Sequence, residues 1–310
     1  MPDIVAHNVC FDYPGRRALD GVSFGVERSQ IFGLLGPNGG GKTTLFRILC
    51  TLATPTSGSA TICDRDVVLD AFYVREQIGV VFQANSLDGE LTVLENLRNQ
   101  GHLYGLRGPT LRRRVDEVSE RFRLRDRLNE LGKTLSGGVQ RRLEIAKSLM
   151  HSPRVLILDE PSAGLDPNAR YDLWNFLKSI RTEKGTTILL TTHLMEEADR
   201  CDSLAILDRG RLVSSGTPDG LKDRIGGDVI TVKTANPEEF HAGLERTFGC
   251  RSMVVDGTVR LETPRGHEFV ARLIETFPGT VEAVTVSRPT LEDVFVHETG
   301  HRFSERTMEQ

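Results

Sequence analysis

The chain has 310 residues, with 39 lysines and arginines against 43 aspartates and glutamates, a formal net charge of −4. That near balance excludes a strongly basic nucleic-acid-binding tail and an acidic solvating tail, and 38% hydrophobic residues suffice for at least one sizeable core. No run approaches the ~18–20 apolar residues of a membrane-spanning helix, and the five scattered cysteines (Cys10, Cys50, Cys63, Cys201, Cys250) form no CxxC pair, so they read as reduced thiols and offer no metal site.

Met1–Val5 lacks the basic start and apolar core of a signal peptide, so a cytoplasmic location is expected. Alternating apolar and polar residues predict strands over Ile4–Val9 and Val22–Val26. Ile31–Leu35 is a continuous apolar run, as in a strand buried on both faces. A glycine-rich loop follows, then a predicted helix from Thr44 to Leu49. Between about 90 and 150 the period becomes helical, with Leu91, Leu94, Leu97 and then Leu111, Val115, Val118, Phe122 on apolar faces. Val155–Leu158 and Thr187–Leu190 return to buried strands, alternating with helices at Ala169–Ile180 and Met195–Cys201. That alternation predicts a mostly parallel α/β sheet.

A boundary is expected near Gly226-Gly227, separating a unit of residues 1–225 (with a helical part at about 85–150) from one of 226–310. The second unit reads β-α-β-β-α-β: Val229–Lys233, Pro237–Phe248, Ser252–Val255, Val259–Thr263, Gly266–Phe277 and Val281–Val286. That is the order of a ferredoxin-like α+β module. Leu291, Val294 and Phe295 suggest a short closing helix, and the polar tail from His301 is expected to fray.

Gly36-Pro37-Asn38-Gly39-Gly40-Gly41-Lys42-Thr43 fits G-x-x-x-x-G-K-[ST] between a predicted strand and a predicted helix. Glycines let successive backbone N–H groups converge on one anion, and the helix N-terminus adds positive dipole. Lys42 supplies a full charge for the β- and γ-phosphates, and the Thr43 hydroxyl can reach Mg²⁺. The strand Val155–Leu158 runs into Asp159 and Glu160. Asp159 suits Mg²⁺ and Glu160 suits a general base for the attacking water. Leu135-Ser136-Gly137-Gly138 precedes an apolar helix. Ser136 reads as its N-cap, and the open N–H groups suggest a second anion site, for which two facing chains would have a use.

These segments, in this order, resemble an ABC-type ATPase, the P-loop nucleotide-binding subunit of an ABC transporter, over about residues 3–225. The resemblance implies the family's fold: a mostly parallel core sheet, an antiparallel β part and an α-helical subdomain. It implies ATP and Mg²⁺ as ligands, with Gly36–Thr43 and Thr44 around the phosphates. Tyr13 stands where the family stacks an aromatic on adenine, with Phe11 the alternative ring. Gln83 matches the glutamine that senses Mg²⁺, His193 the histidine that contacts the γ-phosphate, and Ser162–Asp166 the loop that crosses between monomers, with Asp166 at its end. Ser136, Gly137 and Gly138 are implied to face the partner's nucleotide. Two departures, Gly40 for a common alanine and Val139 for glutamine or methionine, remove no catalytic group.

Arg141–Ala146 and Leu291–Phe295 are similar to ATPases of daunorubicin-resistance exporters, in which the permease is a separate chain. That resemblance implies a homodimer (or a heterodimer with a related ATPase), integral membrane permease subunits as partners, peripheral attachment to the cytoplasmic membrane face, and no nucleic-acid partner. Residues 86–106 are the expected permease contact. The second unit carries no cluster that reads as a site, so packing or dimer support is its expected role, with regulation the alternative. A soluble ABC ATPase of DNA maintenance fits less well, because the span from Lys42 to Ser136 has no room for a long coiled coil. An ATP-regulated scaffold is opposed by Glu160.

Overall fold

The computed structural model describes residues 1–303; the remainder of the predicted tail, 304–310, lies outside the described residues. Its first sheet is antiparallel. Strand β1 (Ile4–Tyr13) pairs with β2 (Arg16–Val26) and β4 (Ser57–Ile62), and β5 (Arg65–Asp66) closes the edge. Both early strands run longer than the alternation predicted, because the Pro14-Gly15 turn joins them as a hairpin.

The central sheet has six strands in the order β10-β9-β3-β8-β7-β6. They are β3 (Ile31–Leu35), β6 (Ile78–Val81), β7 (Val155–Asp159), β8 (Thr187–Thr192), β9 (Ser203–Asp208) and β10 (Arg211–Gly216). All pairs are parallel except β9 with β10. Every residue of β3, β7 and β8 is buried, as their unbroken apolar runs predicted. Alternate residues feed two cores. Leu156 and Leu158 pack with the helical side, whereas Val155 and Ile157 pack with α1 (Lys42–Leu49) and the antiparallel sheet.

The helical region holds α3 (Val93–Leu103), α4 (Gly108–Arg121) and α5 (Gly137–Ser148), following the short α2 (Ala71–Gln77). Thr92 and Glu95 form a reciprocal capping box at the start of α3. Helix α6 (Pro167–Lys184) is longer than predicted. Asp166 caps its N-terminus by accepting from the Ala169 amide at 2.9 Å, and Gly185 ends it in the left-handed region. Helix α7 (Met195–Ala198) stops before the expected Cys201.

After α8 (Pro218–Lys222), four strands build a separate antiparallel sheet: β11 (Asp228–Thr234), β12 (Ser252–Val255), β13 (Thr258–Thr263) and β14 (Val281–Ser287). Its order β12-β13-β11-β14, with α9 (Pro237–Phe248) and α10 (Gly266–Thr276) as crossovers, is the ferredoxin-like arrangement. The module has its own core of Ile230, Val232, Phe240, Leu244, Val259, Leu261 and Leu273. The closing helix α11 (Leu291–Thr299) leaves that core. Leu291, Val294 and Phe295 pack instead with Leu35, Leu204, Ile206, Leu221 and Ile225.

Candidate functional site

The parallel strands β3, β6, β7 and β8 all point their carboxyl ends at one cleft, where open α/β sheets place ligands. The loop after β3 is held by backbone approach. A methyl placed on Gly36 would lie 2.4 Å from the Leu207 carbonyl oxygen, so only glycine fits. Gly41 has φ +104° and caps α1, aiming the helix's free N–H groups into the loop. Lys42 is buried; its Nζ donates to the carbonyls of Gly36 at 2.7 Å and Pro37 at 3.1 Å. Burial lowers its pKa from the usual lysine value, and Glu160, 3.6 Å away, works in the other direction.

Asp159 ends β7 with its Oδ1 accepting from Thr191 Oγ1 at 2.5 Å. Burial raises its pKa above the ordinary aspartate value, opposed by the Thr191 hydrogen bond. Glu160 follows in the left-handed region, at φ +43°. A non-glycine residue there is strained, and the surroundings must hold it. One hold is its own amide, which donates to Thr191 Oγ1 at 2.9 Å. The turn aims the Glu160 carboxylate at three groups: Lys42, the Gln83 amide (Nε2 to Oε2, 3.2 Å) and His193 Nδ1 (3.2 Å from Oε2).

Lys42, Thr43, Thr44, Gln83 and Glu160 line a cavity of about 200 Å³ with Tyr13, Asn38, Gly39 and Gly41. Tyr13 is partly exposed at the hairpin end, its ring edge-on to Phe11 at 4.9 Å. The structure thus gathers Tyr13, the phosphate loop, Gln83, Asp159, Glu160 and His193 into one neighbourhood. Ser136, Gly137 and Gly138 do not line that cavity. Ser136 sits at the N-cap position of α5, but its hydroxyl makes no cap bond, contrary to the expected role, so the hydroxyl is not committed to its own helix. Gly138 packs against Ala169, where an added methyl would lie 2.9 Å from the Ala169 Cβ, so this helix start adjoins the one capped by Asp166.

Two contributors escaped the sequence reading. Arg16 lines the same cavity and donates from Nη2 to the Gly39 carbonyl at 3.0 Å, tying the hairpin to the phosphate loop. Its place three residues after Tyr13 was the available signal. Thr191 bridges Asp159 and Glu160 from the neighbouring strand, and only the β7–β8 register reveals it.

The sequence pattern of the family described as ABC transporter matches residues 19–163. The daunorubicin resistance ATP-binding protein DrrA3 of Streptomyces coeruleorubidus is 40% identical over 297 residues, 93% of each chain. The daunorubicin/doxorubicin resistance ATP-binding protein DrrA of Streptomyces peucetius is 37% identical over 308 residues, covering 96% of this chain and 92% of its own length. Among solved structures, a dimeric ATP-binding cassette in a post-hydrolysis state with ADP and phosphate superposes with a TM-score of 0.63 at 28% identity, over 69% of this chain and 98% of that one. With a phosphate loop, an Asp-Glu strand end and a facing histidine at one cleft, and with such relatives along nearly its whole length, the chain belongs to the ABC transporter family of ATP-binding proteins.

Proposed function

We propose that this chain is the ATP-hydrolysing subunit of an exporter whose membrane permease is a separate polypeptide, with residues 1–225 as the catalytic unit and 226–310 as an accessory one. The observation that carries the reading is the convergence of Lys42, Gln83 and His193 on the Glu160 carboxylate at the mouth of the phosphate loop. Likeness to drug-resistance ATP-binding proteins over more than nine-tenths of the chain supports the export role. Among the described residues no helix is long and apolar enough to cross a membrane, so a permease would supply the path.

ATP stacks its base on Tyr13 and lays its phosphates over the N–H groups of Gly39–Thr44. Lys42 then exchanges the carbonyls of Gly36 and Pro37 for phosphate oxygens, a stronger charge-assisted pairing. Glu160 accepts the proton of the attacking water, Gln83 orients that water, and His193 donates toward the γ-phosphate as charge develops. The oxygens of Thr43, Gln83 and Asp159 are hard donors that fit Mg²⁺, which characteristically takes one or two carboxylates and leaves other positions to phosphates and water. Bound there, the ion would neutralise phosphate charge, and its field would keep the buried Asp159 ionised.

Two copies face head to tail, so that Ser136–Gly138 of one covers the γ-phosphate held by the other. The uncommitted Ser136 hydroxyl and the open start of α5 suit that contact. A groove of about 350 Å³ lined by Arg75, Phe82, Ser86, Tyr104, Lys147 and His151 receives the permease, overlapping the expected contact at 86–106. In this arrangement the protein works at the cytoplasmic face of the membrane. The test is hydrolysis by the purified chain across protein concentrations, beside Glu160→Gln. Activity that rises more steeply than linearly, and a variant that binds ATP, dimerises and barely turns over, are expected. A Glu160→Gln chain that stays monomeric with ATP and Mg²⁺ would sink the two-copy arrangement.

A further inference from the structure

The most elaborate buried polar contact outside the nucleotide cavity belongs to Arg141, one turn into α5. The residue is 8% exposed, yet almost every partner of its guanidinium is a backbone carbonyl. Its Nε donates to Pro161 at 2.7 Å, Nη1 to Phe82 at 2.7 Å, and Nη2 to Asp159 at 3.2 Å and Glu160 at 3.4 Å. The acceptors therefore surround the strained Glu160 on both sides, and the Phe82 carbonyl immediately precedes Gln83. Among the described residues its acidic partner is Glu144, buried and 2.9 Å from Nη1.

Stability alone is a poor reason for such a group. Desolvating an arginine and a glutamate costs as much as their attraction returns, and apolar replacements of like volume often fold as well. Positioning is a better one. Five N–H donors in a fixed plane can hold several carbonyls at once, which a lysine cannot. A left-handed glutamate persists only where its neighbours over-determine the backbone. We infer that Arg141 is a positioning residue for hydrolysis: it fixes the backbone at Asp159–Pro161 and Phe82, and so the aim of Glu160 and Gln83.

Glu144 gives this clamp a second end. Its Oε1 accepts from the Ser86 amide at 2.7 Å and hydroxyl at 3.2 Å, and Lys147 Nζ donates to the Ser86 carbonyl at 2.9 Å. Ser86, Glu144 and Lys147 all line the groove assigned to the permease. A partner that shifts Ser86 pulls on the carboxylate that orients Arg141.

This inference rests on the ATPase reading, and one experiment separates them. Steady-state hydrolysis by the full chain is compared for wild type, Arg141→Lys and Glu144→Gln, with thermal melts and binding of a fluorescent ATP analogue. A wild type that neither binds nor hydrolyses ATP refutes the reading itself. With an active wild type, Arg141→Lys is expected to lose about tenfold or more in kcat, because small misplacements of reacting groups carry penalties of that order. Its KM and analogue affinity should stay within about twofold, since Arg141 bonds no residue of the phosphate loop. Glu144→Gln, isosteric and still able to accept from Ser86, is expected to lose about threefold in kcat at unchanged KM, and it carries the test alone if Arg141→Lys does not fold. Unchanged kcat in a folded variant overturns the inference, as does a loss of affinity that parallels kcat.

Discussion

Replacing Thr191 by valine removes one hydroxyl from a fully buried position and leaves the shape nearly unchanged. Two bonds go with it. The donation to the Asp159 carboxylate, at 2.5 Å, is a hydrogen bond to a charged group, a class contributing about 1.5–3 kcal/mol. The acceptance from the Glu160 amide leaves that N–H without its partner, a further cost of about 1–3 kcal/mol. The two share one atom, so they do not add fully, and about 3 kcal/mol is the expected loss of stability. In a chain this large that corresponds to a fall in Tm of roughly 4–6 °C. Asp159, already raised by burial, loses an opposing hydrogen bond, so its pKa rises further. The sign follows. A carboxyl with a raised folded pKa binds protons in the folded state that the unfolded chain has released. Its burden on stability therefore grows as pH rises from the ordinary aspartate value through the folded pKa. The valine variant should extend that decline to higher pH. The assay is thermal melting between pH 4 and 8 beside Thr191→Ser, which keeps the hydroxyl and should lose only about 1 kcal/mol for its missing methyl. A valine variant melting within 2 °C of wild type, with the same pH dependence, would refute the reasoning.

Lys42→Ala should lose measurable ATP binding, because among the described residues the cavity's other cation, Arg16, is exposed; near-normal hydrolysis would remove Lys42 from its assigned role. Gly36→Ala forces a methyl against the Leu207 carbonyl, so phosphate affinity should drop even if the fold survives, as nucleotide titration would reveal. His151 is held neutral by burial, its pKa pushed down to about 4 from 6.5. Below 6.5 the unfolded chain takes up a proton that the folded one refuses, so stability should fall as pH drops from 6.5 to 4, by up to about 3 kcal/mol. His151→Phe, which keeps an aromatic ring to stack on Tyr104, should flatten that acid slope; an unchanged slope in denaturant titrations would contradict the assignment.

The phosphate loop and the strand leading to Asp159 were legible because their determinants are local: glycines at required backbone positions and an unbroken apolar run. The ferredoxin-like module was legible for a similar reason, since its two-residue and helical periods alternate cleanly. Strands β4, β9 and β10 were not foreseen. Ser57–Ile62 and Arg211–Gly216 present serines and glycines, and pairing with β1 and β9 rather than intrinsic pattern makes them strands. The hidden parts of the site are those whose partners lie far along the chain. Nothing near Thr191 announces two bonds to residues 159 and 160, and Arg141 reads as a charged helix residue until β6 and β7 put carbonyls around it. Tyr13 and Asp166 were found by resemblance, and the geometry adds the hairpin that carries one and the helix that the other caps.

The return of α11 to the central sheet bears on how the C-terminal sheet can move. The chain leaves the ATPase core at α8, builds four strands and two helices, and comes back to seat Leu291, Val294 and Phe295 beside Leu221 and Ile225. The module is thus tethered at both ends, as a handle is fixed to a lid, and not hung from one linker. Two-ended seating opposes free swinging and favours a rocking about two neighbouring anchor points. A cut at residue 226 would strip four buried apolar side chains, Val229, Leu291, Val294 and Phe295, from the core, at about 1.5–3 kcal/mol each. A truncated chain that fails to hydrolyse ATP would then report a damaged floor beneath β3 and β9 before it reported the loss of any regulator.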